Sequence, residues 1–308
     1  MTAIDRRTLL KGALGGAALL SFGRASIAEG LKATVTRLTD KLSLISGVGG
    51  NVVALSTDGG IVLVDSGSPA GSDALREAVR SLPGGDRVWT LFNTHWHREQ
   101  TGSNAVFGAS GADIIAHEKT RLWLSTDHWL PTEDRYEKAW PKEAVPTQSF
   151  YTQGSLQAGR ETIEYGYLLQ AHTAGDIYVY FRDANVLVVG DAASPEQDPI
   201  LDWFAGGWMG GRIDALSLLL RLSDDSTRII AGTGGVIGRE ELQIEHEMLS
   251  AIFSRMTELM RKGYTTQAMY EAGVTQDLPR ALRNPQRFIY DAHKSIWAHH
   301  NTLSHDIV

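Results

Sequence analysis

Short apolar runs bounded by turn residues dominate the chain from Ala33 onward. The runs Ala33–Leu38, Leu42–Ser46, Val52–Ser56 and Ile61–Val64 predict strands, with Gly49-Gly50 and Asp58-Gly59-Gly60 as turns between them. The period changes at Ser72–Leu82, where Leu75, Val79 and Leu82 share one face of a predicted helix that Pro83-Gly84-Gly85 ends. Val88–Phe92 and Asp113–Ala116 read as strands, and Glu118–Leu124 as a helix. Further strands follow at Thr162–Gln170, Ile177–Arg182, Val186–Val189 and Arg228–Ala231, with a helix over Ile213–Leu222. Arg239–Lys262 carries Leu242, Leu249, Ile252, Phe253, Met256, Leu259 and Met260 at helical spacing. Acid at its start and base at its end suit the helix dipole, and the stripe is core. Ser125 to Gly154 is irregular, and so long a stretch is either a lid over a site or a surface excursion.

Composition narrows the classes. The 308 residues carry a formal charge of −7 and no basic stripe, which argues against a nucleic-acid partner. There are no cysteines, so thiolate metal sites, iron–sulfur clusters and cysteine nucleophiles are excluded. Any metal must be held by His, Asp, Glu, Gln or backbone. Residues 1–28 resemble a twin-arginine export signal: Arg6-Arg7, a mild apolar stretch to Phe22, and small residues around Ala28. The apolar stretch is shorter than the roughly 20 residues a membrane span needs. The expectation is export through the twin-arginine machinery to the periplasm, with residues 29–308 as one α/β domain and no membrane contact after signal removal.

The candidate chemistry starts where the run Val88–Phe92 delivers Thr94-His95-Trp96-His97-Arg98-Glu99-Gln100. In an extended segment His95, His97 and Glu99 project to one side, and two imidazoles with a carboxylate suggest a metal site. Alone, an HxH pair is more often two surface histidines. Context comes from other strand ends, which carry His172-Thr173-Ala174-Gly175-Asp176, Gly190-Asp191 and Gly232-Thr233-Gly234-Gly235. Loops at one end of a sheet gather binding residues, so His95, His97, His172 and Asp191 are expected to converge.

With Val64-Asp65-Ser66-Gly67 these motifs, in this order, resemble the metallo-β-lactamase superfamily over nearly all of Ala33–Gly238. The resemblance implies a four-layer αββα sandwich, a metal site at one edge of its two sheets, and hydrolysis by a metal-bound hydroxide, with zinc as the metal. It assigns His95, His97 and His172 to a first site. The positions matching the family's second site hold Glu99, Gln100, Asp191 and Thr233, of which only Asp191 is unchanged. The expectation is therefore one firmly held zinc, with the second position weak or empty.

On this reading Asp191 ligates or orients water, Glu99 acts as general base, and Asp65 and Thr233 brace the site. Loss of the second cation disfavours amide leaving groups and leaves esters, lactones or thioesters as small-molecule substrates. Trp129, Trp140, Trp203 and Trp208 either wall an apolar pocket or simply pack. Two rivals remain. His95, His172 and Asp191 also form the two-His, one-carboxylate set of mononuclear iron, as in relatives resembling persulfide dioxygenases. Alternatively, the fold is kept by a non-catalytic binding protein of the periplasm. His117 is expected in a turn or core, His246 in solvent, and the histidines from His293 onward in a frayed tail.

Overall fold

The computed structural model describes residues 31–130 and 134–305, apart from the side chains of 301–305; residues 1–28, expected to be an export signal, lie outside the described residues. Strands β1 (Thr34–Arg37), β2 (Leu42–Ser46), β3 (Val52–Thr57), β4 (Gly60–Val64), β5 (Val88–Phe92) and β6 (Asp113–His117) lie side by side in one sheet. β7 (His128–Leu130) and β8 (Arg135–Glu137) pair as a separate ribbon, and β9 (Gln148–Phe150) returns to the first sheet beside β6. β10 (Gln153–Ala158), β11 (Glu161–Tyr167), β12 (Ile177–Phe181), β13 (Val186–Gly190), β14 (Arg228–Ala231) and β15 (Val236–Ile237) form the second sheet in that order. β4, β5, β6 and β9 run parallel, as do β13 and β14; the other pairs are antiparallel.

Strand alternation builds the layers. Val53, Leu55, Val62 and Val64 point inward and meet Ile163, Val179, Val186 and Val188 of the second sheet in one buried cluster. Their neighbours Val52, Ala54, Ile61 and Leu63 point outward onto Leu75 and Val79 of α1 (Ser72–Arg80). Two short helices, α2 (Arg98–Thr101) and α3 (Asn104–Ala109), and then α4 (Glu118–Ser125) follow on the first-sheet side of the chain. On the second sheet the outward residues Leu187, Val189 and Ile229 are covered by α5 (Met209–Leu222), α6 (Arg239–Arg261), α7 (Thr266–Glu271) and α8 (Pro285–His305). Helix, sheet, sheet, helix: this is the αββα sandwich.

Two regions differ from expectation. The 125–154 stretch contains the ribbon and β9, short elements whose burial is too partial to leave an apolar run. Glu137 of the ribbon is buried and accepts hydrogen bonds from Arg98 and Arg135, pinning the ribbon to α2. The chain end is helix rather than frayed tail, because Phe288, Ile289, Ala292 and Ile296 bury one face of α8. His299 stacks on Trp208 with ring centroids 3.7 Å apart. His246 is half-buried and bonded to the Ser217 hydroxyl at 2.8 Å, not free in solvent. His117 caps α4 and stacks on Tyr167 at 3.8 Å, as a turn histidine.

Candidate metal centre

The centre lies at the ends of β4, β5, β13 and β14 and in the loop after β11. Past Phe92 the chain is held by a reciprocal pair of amide bonds between Asn93 and Asn104, at 3.0 and 2.8 Å. It then bends through Thr94–His97, where His97 itself is extended (φ −61°, ψ 153°) and is the N-cap of α2. The bends still bring the two rings together, with His95 Nε2 and His97 Nδ1 3.2 Å apart. Glu99 does not join them. The chain turns helical at Arg98, and Glu99 is left exposed on the first turn.

Four ligand atoms converge, one each from His95, His97, His172 and Asp191, all within 4.8 Å of one another. His97 Nδ1 lies 3.2 Å from His95 Nε2 and 3.0 Å from His172 Nε2. Asp191 Oδ2 lies 3.5 Å from His95 Nε2 and 3.8 Å from His172 Nε2. A tetrahedral ion with ligands at about 2.0–2.2 Å separates them by roughly 3.3 Å, so this donor set fits one zinc-sized ion.

The outward nitrogens decide the tautomers. His95 Nδ1 faces Thr94 Oγ1 at 3.2 Å, and that hydroxyl is itself donated to Asp65 Oδ2 at 2.8 Å. His172 Nδ1 donates to the Ile200 carbonyl at 2.9 Å, and His97 Nε2 to Asp202 Oδ2 at 3.0 Å. Each imidazole thus spends its proton outward and turns a lone pair inward, the arrangement by which outer partners orient metal-binding histidines.

Electrostatics favour the neutral form at His95 and His172 and the protonated form at His97. Burial, with the neighbouring His172 and His97, holds His95 well below the usual histidine pKa. Burial, His97 and Arg212 push His172 down to about 3. For His97 burial acts downward, but the hydrogen bond and charge of Asp202 outweigh it and raise the pKa. Burial raises Asp191 and, strongly, Asp65. Burial also lifts Asp176 to about 7; its carboxylate accepts from the His172 and Thr173 amides, both at 2.7 Å, and so shapes the turn that carries His172.

Of the remaining expected residues, Asp65 and Gln100 lie around the cage and Thr233 faces solvent. Asp65 is buried, takes a left-handed conformation (φ 63°), and braces Thr94 through its amide at 2.7 Å and its hydroxyl. Gln100 is 1% exposed, and among the described residues neither its amide nitrogen nor its oxygen has a partner. A Cβ on Gly232 would stand 2.0 Å from Asp191 Oδ1 and 3.1 Å from Gln100 Nε2, so only glycine admits both side chains. Thr233 is exposed and accepts from Gln197 at 3.2 Å, away from the cage.

Trp203 lines a pocket of about 250 Å³ with Trp96, His97, Asp202, Phe204 and others; Trp129, Trp140 and Trp208 are not among its lining residues. Trp129 packs on Tyr136 in the ribbon, Trp140 sits under Arg98, and Trp208 lies on α8. Asp202, Trp96 and Phe204 escaped sequence reading as site residues. Only their place in or beside a candidate loop pointed to them.

A cage of three imidazoles and a carboxylate at the edge of an αββα sandwich defines a metal-binding protein of the hydrolase type. The sequence pattern of the Metallo-beta-lactamase superfamily matches residues 45–234, and the chain belongs to that superfamily. A curated relative, 2,4-dinitroanisole O-demethylase subunit alpha of Nocardioides sp. (strain JS1661), is 24% identical over 217 residues, which are 68% of this chain and 60% of that protein. Among solved structures, a metallo-beta-lactamase from Pontibacter korlensis is similar with a TM-score of 0.58 and 19% identity, over 71% of this chain and 99% of the other. A double mutant of the sec-alkyl sulfatase PisA1 is similar with a TM-score of 0.65 and 14% identity, over 86% of this chain and 51% of that one. These structural likenesses speak to the fold.

Proposed function

We propose that this chain is an exported, periplasmic hydrolase working with one zinc ion held by His95, His97, His172 and Asp191. The supporting observation is the inward convergence of three imidazole nitrogens whose outward nitrogens each meet an acceptor. A zinc so held supplies Lewis-acid activation of water, bringing its pKa to about 7. The chain's own groups divide the rest. Asp191 gives Oδ2 to the cage and keeps Oδ1 beside Gly232, where it orients a water hydrogen. Glu99 lies outside the cage on the exposed first turn of α2, where its charge favours protonated His97 and it passes protons to solvent without touching the reacting water.

The pocket beside His97 is walled by Trp96, Trp203, Phe204, Leu130, Ile200 and Leu201, which suits a substrate with an apolar or aromatic body. With Gln100 and Thr233 in place of imidazole ligands, a second cation has no nitrogen donor to hold it, and poor leaving groups are disfavoured. Esters, lactones and thioesters with good leaving groups are the substrate class. The O-demethylase relative is named for an anisole with two nitro groups, an activated aryl ether.

Nitrophenyl esters, lactones, thioesters and a chromogenic β-lactam, offered to the zinc-loaded protein, test this. Zinc-dependent ester turnover that His95→Ala abolishes, with β-lactam turnover far lower, is expected. Bound iron with oxygen uptake would replace the reading by the dioxygenase one. No turnover with metal bound would favour a binding protein.

A further inference from the structure

Arg212 on α5 is fully buried, which is costly for a charge unless every donor is matched. All five of its N–H groups are. Nε and Nη2 donate to Glu245 Oε1 at 3.1 and 2.8 Å, and Nη2 also to Ser194 Oγ at 2.8 Å. Nη1 donates to the Asp191 carbonyl at 2.7 Å and to the Ile200 carbonyl at 3.2 Å. Glu245, on α6 and 1% exposed, completes the knot by accepting the Ser194 amide through Oε2 at 2.7 Å.

These contacts share one target. Asp191 opens the 191–200 loop and supplies a cage oxygen. Ile200 closes it, and its carbonyl also receives the Nδ1 proton of His172. The guanidinium thus grips the loop at both ends, and Glu245 grips it at Ser194. We infer that the Arg212–Glu245 pair is a positioning device for the metal centre: it fixes the backbone of Asp191 and the carbonyl that aims His172. Glu245 lies beyond the 45–234 span of the superfamily match, so the helical C-terminal part reaches into the metal chemistry. The same part reinforces the loop elsewhere, because Arg280 donates to the carbonyls of Pro195 and Gln197, at 3.0 and 2.8 Å.

A structural pair and a positioning pair respond differently to one variant. Removing both charges with Arg212→Met/Glu245→Met leaves no unpaired buried ion, so the fold tolerates it better than either single change. A positioning role predicts that zinc binding in this double variant still weakens about 10–100-fold, as loss of outer partners usually does. The readouts are zinc affinity by competition with a chromogenic chelator and the visible spectrum of the cobalt-substituted protein. A shifted cobalt spectrum with weaker zinc binding is expected. Zinc affinity within twofold of wild type, with an unchanged cobalt spectrum, overturns the inference. Should the double variant fail to fold, Ser194→Ala cuts one tie without stranding a charge, and the same two outcomes apply. The inference rests on the metal-centre reading, and the two fail separately. A wild-type protein that binds no zinc defeats that reading, while equal binding by wild type and variant defeats only this one.

Discussion

At the scale of single residues, the cage depends on protons pointed outward. Asp202 does this for His97 from 105 positions along the chain, which is why no local pattern in the sequence reveals it. Asp202→Ala should weaken zinc binding about 10–100-fold while leaving the fold intact, as measured by chelator competition beside circular dichroism. Zinc affinity equal to wild type would remove Asp202 from the account. The convergence of His95, His97, His172 and Asp191 was legible, because each follows a strand end and carries a residue type that can bind a metal. Gln100 was expected at a weak second site; its buried amide has no partner among the described residues and faces Gly232 together with Asp191 Oδ1. An unpaired buried amide costs about 1–3 kcal/mol, so Gln100→Met, of similar length, should raise the unfolding midpoint and leave metal content per chain unchanged. A fall in metal content would place Gln100 among the ligands.

At the scale of elements, the long apolar strands were read to within a few residues, since alternation and turn residues mark both ends. The ribbon, β9 and β10 were not. β10 reads QGSLQA with alternate residues exposed, and the ribbon strands are three residues each, too short for a period to emerge. Glu137 anchors the ribbon. Burial acts to raise its pKa, but hydrogen bonds and charge from Arg98 and Arg135 prevail and hold it below the usual glutamate range. A depressed folded pKa means its stabilisation is present above the ordinary value of 4.5 and is lost as pH falls through the lower folded value. Glu137→Gln should therefore destabilise the protein at pH 7, and the difference from wild type should shrink on acidification below about 4.5. Denaturant unfolding at both pH values checks it. A difference independent of pH would mean that the charge is not what pins the ribbon. The C-terminal helix was legible in principle, since Phe288, Ile289, Ala292 and Ile296 stand at helical spacing, but a default of chain-end fraying hid it.

At the scale of the molecule, two sheets present strand ends to one edge while helices from opposite layers tie the loops in place. The αββα sandwich was readable through the family resemblance that motif order carries, while the strand order within each sheet was not. The convergence of four side chains from β5, the loop after β11 and β13 was an inference from the motif order, and the structure brings them together. The pocket was less legible: of four candidate tryptophans only Trp203 lines it, because wall residues are chosen by tertiary placement and not by type. Trp203→Ala should raise KM for an aryl ester about tenfold or more with metal content unchanged, given that a buried aromatic contact contributes about 1.5–3 kcal/mol. Unaltered kinetics would move the substrate elsewhere. The central claim is one metal per chain in the His95, His97, His172 and Asp191 cage. The most direct test is elemental analysis of the purified protein and of His172→Ala. The account predicts about one zinc per wild-type chain and little in the variant. Two zincs per chain, or none, would contradict it.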